Sequence, residues 1–169
     1  MRPHGTDGIA YLVTLWTFDA RPLFADTATA ALFCRVLGSL RQRLGFRLHA
    51  YVILPDRVRF IVGGESDPGS IEVVVRRLKL RFAREANERA GRLGLVWQDA
   101  DQRVTLAGPD DVARRAEFLH RSPEWARLAR HPAEWRWSSY RAWAGEGRPP
   151  LAVDLPRRPE SGGTVLKRG

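Results

Sequence analysis

Two arginines separated by a single valine stand in the segment LPDRVRFIV, Leu54–Val62. Pro55-Asp56 reads as a tight turn feeding a short buried strand, so Arg57 and Arg59 point to the same face of it. A guanidinium is costly to bury unless it meets an anion or an acceptor. Two such forks side by side suit a phosphate, because each can donate a pair of parallel hydrogen bonds to it. The competing expectation is that Asp99 or Asp101 neutralises the pair and closes the cleft.

Two further stretches combine residue types that suit nucleic acid. A helix from about Ser70 to Ala90 carries Arg76, Arg77, Lys79, Arg81 and Arg84 on one side, partly offset by Glu72, Glu85 and Glu88. Arg76, Arg77, Lys79 and Arg81, with Arg103 on a later strand, are candidates for contact with backbone phosphates, against the reading of a solvated helix face. In WRWSSYRAW, Trp135, Trp137, Tyr140 and Trp143 alternate with Arg136 and Arg141. Aromatic rings stack on unpaired bases while arginines take phosphates. Here Trp137 is expected to dock on the core, leaving Ser139, Tyr140 and Arg141 as the contact candidates.

The elements that must position these residues follow from periodicity. Tyr11–Thr17 is rich in β-branched and aromatic residues and reads as a first strand. Asp26 caps a helix whose apolar positions are Leu32, Phe33, Val36, Leu37, Leu40 and Leu44, and Gly45 ends it. Phe46–Leu54 alternates as a strand with two faces, and the arginine strand follows. After the second helix, with Ile71, Val75, Leu78, Phe82 and Ala86 on its apolar side, a fourth strand fits Gln102–Ala107. Asp110 then caps a third helix that runs to about His120, where Ser122-Pro123 stops it. The order strand, helix, strand, strand, helix, strand predicts an α+β fold of the ferredoxin-like split βαβ type. Its antiparallel sheet has helices on one face, leaving the other open to a ligand.

Composition bounds the partners. The chain has 169 residues, 44% of them hydrophobic, enough for one cored domain. Residues 1–144 are expected to form it, with a mobile Pro-, Gly- and Arg-rich tail over 145–169. The net charge of +9 favours a polyanion, nucleic acid before a membrane. An arginine-, alanine- and glycine-rich composition, as a GC-rich genome produces, weakens that inference. The single cysteine, Cys34, excludes an internal disulfide and a cysteine zinc site, and it falls on the apolar side of its helix. No apolar leader and no membrane span is legible, so a cytoplasmic protein is expected.

The segments RPLFAD, GFRLHAYVILPDRVRF, RLKLRFARE and HPAEWRWSSYRAWAG, in this order and spacing, closely resemble the single-tyrosine HUH transposases. The nearest branch is the REP-associated tyrosine transposases, which act on hairpin-containing single-stranded DNA. The resemblance spans roughly Tyr11 to Gly145. In that family two histidines in a P-D-H-x-H motif hold a divalent metal that polarises the scissile phosphate. A tyrosine on the last helix attacks it, and a polar residue four positions on completes the metal site, in a Y-x-x-x-N-P pattern.

Laid on this chain, the resemblance puts the histidine positions at Arg57 and Arg59, the tyrosine at Phe118 and the asparagine at Ser122, in FLHRSP. Arginine offers a metal no lone pair at neutral pH, and phenylalanine has no nucleophilic oxygen. The resemblance therefore implies DNA binding, single-stranded or hairpin, without strand cleavage, metal or cofactor. A relocated metal site at His49, His120 and His131, or a substitute nucleophile at Tyr51 or Tyr140, has less to recommend it. Two rival readings stand beside this one. A transposase nicking through unrecognised residues would need metal, and an RNA- or protein-binding module would lack salt-dependent binding to DNA.

Overall fold

A computed structural model describes residues 8–64 and 68–156. Four strands, β1 (Ala10–Thr17), β2 (Arg47–Leu54), β3 (Arg57–Gly63) and β4 (Trp97–Leu106), form one sheet in the order β2-β3-β1-β4. Every neighbouring pair is antiparallel, which is the split βαβ arrangement expected. Helices α1 (Thr27–Leu44) and α2 (Pro68–Ala90) connect the strands and lie together on one face.

Strand alternation divides the apolar residues between two cores. Val13 and Leu15 of β1, Leu48, Tyr51 and Ile53 of β2, and Val58, Phe60 and Val62 of β3 face α1 and α2. There they meet Phe33, Val36 and Leu37 of α1 and Val75, Leu78 and Phe82 of α2. Phe24, Phe33, Phe82 and Trp97 close that core, with Phe82 and Trp97 centroids 5.2 Å apart. Helix α1 begins where expected: the Asp26 carboxylate accepts the Thr29 N–H at 3.2 Å. It ends at Gly45, whose left-handed φ of 72° lets its N–H reach back to the Arg41 carbonyl.

The residues of opposite parity, Ala10, Leu12, Ala50, Val52, Leu54, Ile61 and Leu106, form a smaller core on the other face. Val112, Ala116 and Leu119 of α3 (Gly108–His120) cover it, so the face expected to be open is roofed in part. Helix α3 starts two residues before Asp110. The Asp111 carboxylate, not Asp110, reaches back to the Ala107 N–H at 3.0 Å. A short α4 (Ser122–Trp125) follows at once, and α5 (Tyr140–Ala144) lies in the C-terminal segment. Strand β4 begins at Trp97, five residues before the alternation becomes legible, because a register irregularity opposite Leu15–Thr17 interrupts the pattern.

The tail departs from expectation. Strand β2 is an edge, and its outward backbone groups need partners. The Trp137 carbonyl accepts the Ile53 N–H at 2.8 Å, and the Ser139 N–H donates to the Tyr51 carbonyl at 3.0 Å. Further along, the Asp154 N–H donates to the Leu48 carbonyl at 2.7 Å and its carboxylate accepts the Leu48 N–H at 3.0 Å. Asp154 also pairs with Arg41 at 2.7 Å, and Leu151 and Val153 pack on the larger core. The tail expected to be mobile from residue 145 is thus docked as far as Asp154, while residues 157–169 lie outside those described. No helix among the described residues is long and apolar enough to cross a membrane.

Candidate nucleic-acid interface

Strand β3 runs antiparallel to β1 with Arg57 opposite Trp16 and Arg59 opposite Thr14. Both arginines have the parity of Ile61 and therefore lie on the α3 side of the sheet. Arg59 is half-buried. Its Nε donates to Thr14 Oγ1 at 3.4 Å and its Nη1 to Ser122 Oγ at 3.3 Å. Burial first, then the nearby Arg57 and Arg115 guanidiniums, depress its basicity, though an arginine keeps its charge. Among the described residues no carboxylate lies within ion-pair distance of Arg59, and Arg57 meets only its chain neighbour Asp56, at 3.2 Å.

The expected closure by Asp99 or Asp101 does not occur. Asp101 lies on the opposite face of the sheet, where it pairs with Arg103 at 2.9 Å and Lys79 at 3.9 Å. What stands around Arg59 is two hydroxyls and two further cations. That set suits an anion and does not fit a divalent metal ion.

Ser122 reaches Arg59 from 63 residues away because it heads α4 directly after α3. Phe118 lies one helical turn earlier and is 58% exposed. Its ring meets that of Trp125, 52% exposed, edge to face with centroids 4.6 Å apart. The Arg121 guanidinium sits 6.0 Å over the same indole. Of the four positions singled out by motif, Arg59 and Ser122 are hydrogen-bonded, Arg57 lies near Arg59, and Phe118 lies one turn before Ser122. Thr14, Arg115, Arg121 and Trp125 were not anticipated. Arg115, Phe118, Ser122 and Trp125 follow one another at spacings of three or four, a helical stripe that the stop signal at Ser122-Pro123 concealed.

The other candidates are placed elsewhere. Helix α2 is across the sheet from the arginine pair, so its basic side does not extend the site. Arg76 and Arg77 are exposed there and make no ion pair among the described residues. Lys79 donates to the Gln98 and Asp99 carbonyls at 2.9 and 3.3 Å. Arg81 bonds Ser39 Oγ at 2.9 Å and Glu85 at 3.3 Å, and Arg103 bridges Glu72 at 2.6 Å and Asp101. These three brace α2 against α1 and β4.

In WRWSSYRAW the aromatic side faces the protein. The Trp135 indole N–H donates to the Ile53 carbonyl at 3.0 Å and that of Trp143 to the His49 carbonyl at 2.9 Å. Trp137 packs against the larger core, as anticipated, with the Arg136 guanidinium 5.0 Å over its ring. Ser139 is a correction: it is fully buried, its Oγ accepting the Tyr51 N–H at 2.9 Å and lying 2.8 Å from His120 Nε2. Tyr140 is half-buried between the rings of His120 and His131, at 5.9 and 5.6 Å. Arg141 is exposed and bonds the Ala133 carbonyl at 3.2 Å.

The remaining titratable groups serve the fold. Burial pushes the His120 imidazole down to about 4, so it is neutral at pH 7. His49 Nδ1 lies 2.9 Å from the Asp154 carbonyl, and His131 Nδ1 accepts the Ala133 N–H at 3.0 Å. Among the described residues no three of His, Cys, Asp and Glu are grouped to hold a metal ion. The Tyr51 hydroxyl is buried, accepts the Leu151 N–H at 2.9 Å, and is pushed up in pKa by desolvation. Burial likewise pushes the Cys34 thiol up to about 12, which keeps it protonated and unreactive.

No family model and no curated protein matches the chain. Solved structures do. One is the REP-associated tyrosine transposase bound to a REP hairpin, with a TM-score of 0.66 at 18% identity over 94% of this chain and 93% of that one. Another is a candidate transposase from Deinococcus radiodurans R1, with a TM-score of 0.51 at 18% identity over 70% of this chain and 95% of that one. At that identity the likeness is one of fold, and over nearly the whole chain that fold is the one the sequence motifs pointed to, that of the REP-associated tyrosine transposases.

Proposed function

We propose that this chain is a cytoplasmic DNA-binding relative of the REP-associated tyrosine transposases that holds hairpin or single-stranded DNA and has lost strand cleavage. The observation that carries the reading is the environment of Arg59: a half-buried guanidinium with Arg57 and Arg115 nearby, hydroxyl partners at Thr14 and Ser122, and, among the described residues, no carboxylate within ion-pair distance. Such a site lacks only an anion. Backbone phosphates provide that charge, one accepting from each fork. The likeness to a transposase bound to a REP hairpin supports DNA as the source of the phosphate.

In the family the same positions carry the metal and the nucleophile. Here they carry two fixed cations, a hydroxyl and a phenyl ring, so neither the ion nor the attacking oxygen has a place. The reading therefore retains the phosphate grip and omits the phosphotyrosine step.

The test is a salt titration of binding to single-stranded and hairpin DNA. Replacing Arg57 and Arg59 together by alanine removes two phosphate contacts. The slope of log affinity against log salt then flattens by about 1.4, at about 0.7 per phosphate on a single strand. Incubation of the parent with the hairpin and Mg²⁺ or Mn²⁺ yields no nick and no covalent adduct. Unchanged affinity and slope in the double variant sink the phosphate site, and an adduct sinks the loss of cleavage.

A further inference from the structure

The chain has seven phenylalanines and six tryptophans, all within the described residues. Of these thirteen rings only Phe118 and Trp125 are exposed, and they touch each other. Leu128, three residues beyond Trp125, is 41% exposed. Around the two rings stand Arg115, Arg121 and, through Ser122, Arg59. Two exposed rings in contact offer a flat apolar surface to a ligand. Its guanidinium surround selects the partner: a flat apolar group that arrives with negative charge.

We propose that Phe118 and Trp125 form a stacking platform for an unpaired nucleobase whose flanking phosphates are held by Arg57 and Arg59. This rests on the DNA-binding reading above and adds to it the part of the ligand that is recognised and the strand state required. Phe118 and Ser122 are separated by one turn, ~5.4 Å. That is the order of the reach from a phosphate to the base on the same nucleotide. Every base offers a π face, so the platform is tolerant of sequence, whereas a base inside a duplex has both faces covered. The site therefore discriminates single strands, loops and hairpin ends from continuous duplex. It places a base-binding ring where the family has its nucleophile.

The experiment measures binding of an oligothymidine and of a duplex of equal length to the parent and to the variants F118A, W125A and F118L, each over a range of salt. The expected result is a loss of about 5- to 150-fold on the single strand for each variant, with the salt slope unchanged and duplex binding unaffected. F118L keeps apolar cover without a ring and loses affinity like F118A, while F118Y keeps the ring and binds like the parent. Both side chains are exposed, so unchanged melting temperatures accompany the losses. A 5-iodouracil in the strand crosslinks on irradiation to Phe118 or Trp125. Parent-like binding by F118A and W125A overturns the platform while leaving the phosphate site standing. An equal loss on single strand and duplex overturns it too. A parent that binds neither DNA overturns both proposals.

Discussion

Arg59 and His120 show opposite ways for one side chain to meet a low dielectric. The arginine cannot shed its proton, so it stays charged between the hydroxyls of Thr14 and Ser122. The histidine can, and burial moves its pKa from 6.5 to about 4. Unfolding returns the imidazole to water, where it takes a proton below pH 6.5. A depressed folded pKa means that the unfolded chain binds the extra proton. The contribution to stability is therefore whole above pH 6.5 and is lost as pH falls towards 4, to a total of about 3 kcal/mol. Asp26 and Asp111, lowered from 3.8, lose their contributions only below that value, outside the window. Urea unfolding across pH 7 to 4 is expected to show this decline in the parent and a flattened profile in His120→Gln.

At the scale of elements, the C-terminal segment is a strap along β2. Residues 135–154 satisfy edge donors and acceptors at Leu48, His49, Tyr51 and Ile53, which would otherwise offer a template for pairing with another chain. Truncation after Gly145 removes the Asp154 contacts to Leu48 and Arg41 and the packing of Leu151 and Val153, while retaining Trp135 and Trp143. It is expected to cost roughly 2–4 kcal/mol, one half-buried cluster with its hydrogen bonds, and to promote aggregation. Chemical unfolding and light scattering of the shortened chain check this. A tail without structural work would leave both unchanged. DNA binding by the shortened chain should persist, since the arginine pair lies on a different strand.

For the whole molecule, basic residues among those described stand on both sides of one sheet. Arg57, Arg59 and Arg115 lie on the α3 side, and Arg76 and Arg77 project from α2 on the other. A strand of about six nucleotides, near the low end of sites on single-stranded binders, is too short to reach both. With such an oligonucleotide, Arg76→Ala with Arg77→Ala is expected to leave the salt slope unchanged, while the 57/59 double variant flattens it. Equal flattening by both pairs would mean that the α2 face also contacts the strand. Longer strands are the place to look for a contribution from that second face.

The sequence by itself determined the elements and the side-chain types available to the candidate site. Periods of 2 and 3.6 are local, so the strands at Tyr11–Thr17 and Phe46–Leu54 and the first helix emerged within a residue or so of their observed bounds. Only where a register irregularity broke the alternation, before Gln102, did a strand lose several residues to the reading. The residue types at Arg57, Arg59 and Phe118 were equally plain, because side-chain chemistry does not depend on folding. Tertiary structure decided which groups satisfy one another. It brought Ser122 to Arg59, sent Asp101 to Lys79 and Arg103, buried Ser139 against Tyr51 and His120, and left Phe118 and Trp125 uncovered. The reason is one of range. A buried hydrogen bond is worth its few ångströms of geometry only after elements far apart in the chain have packed, and no local period carries that information.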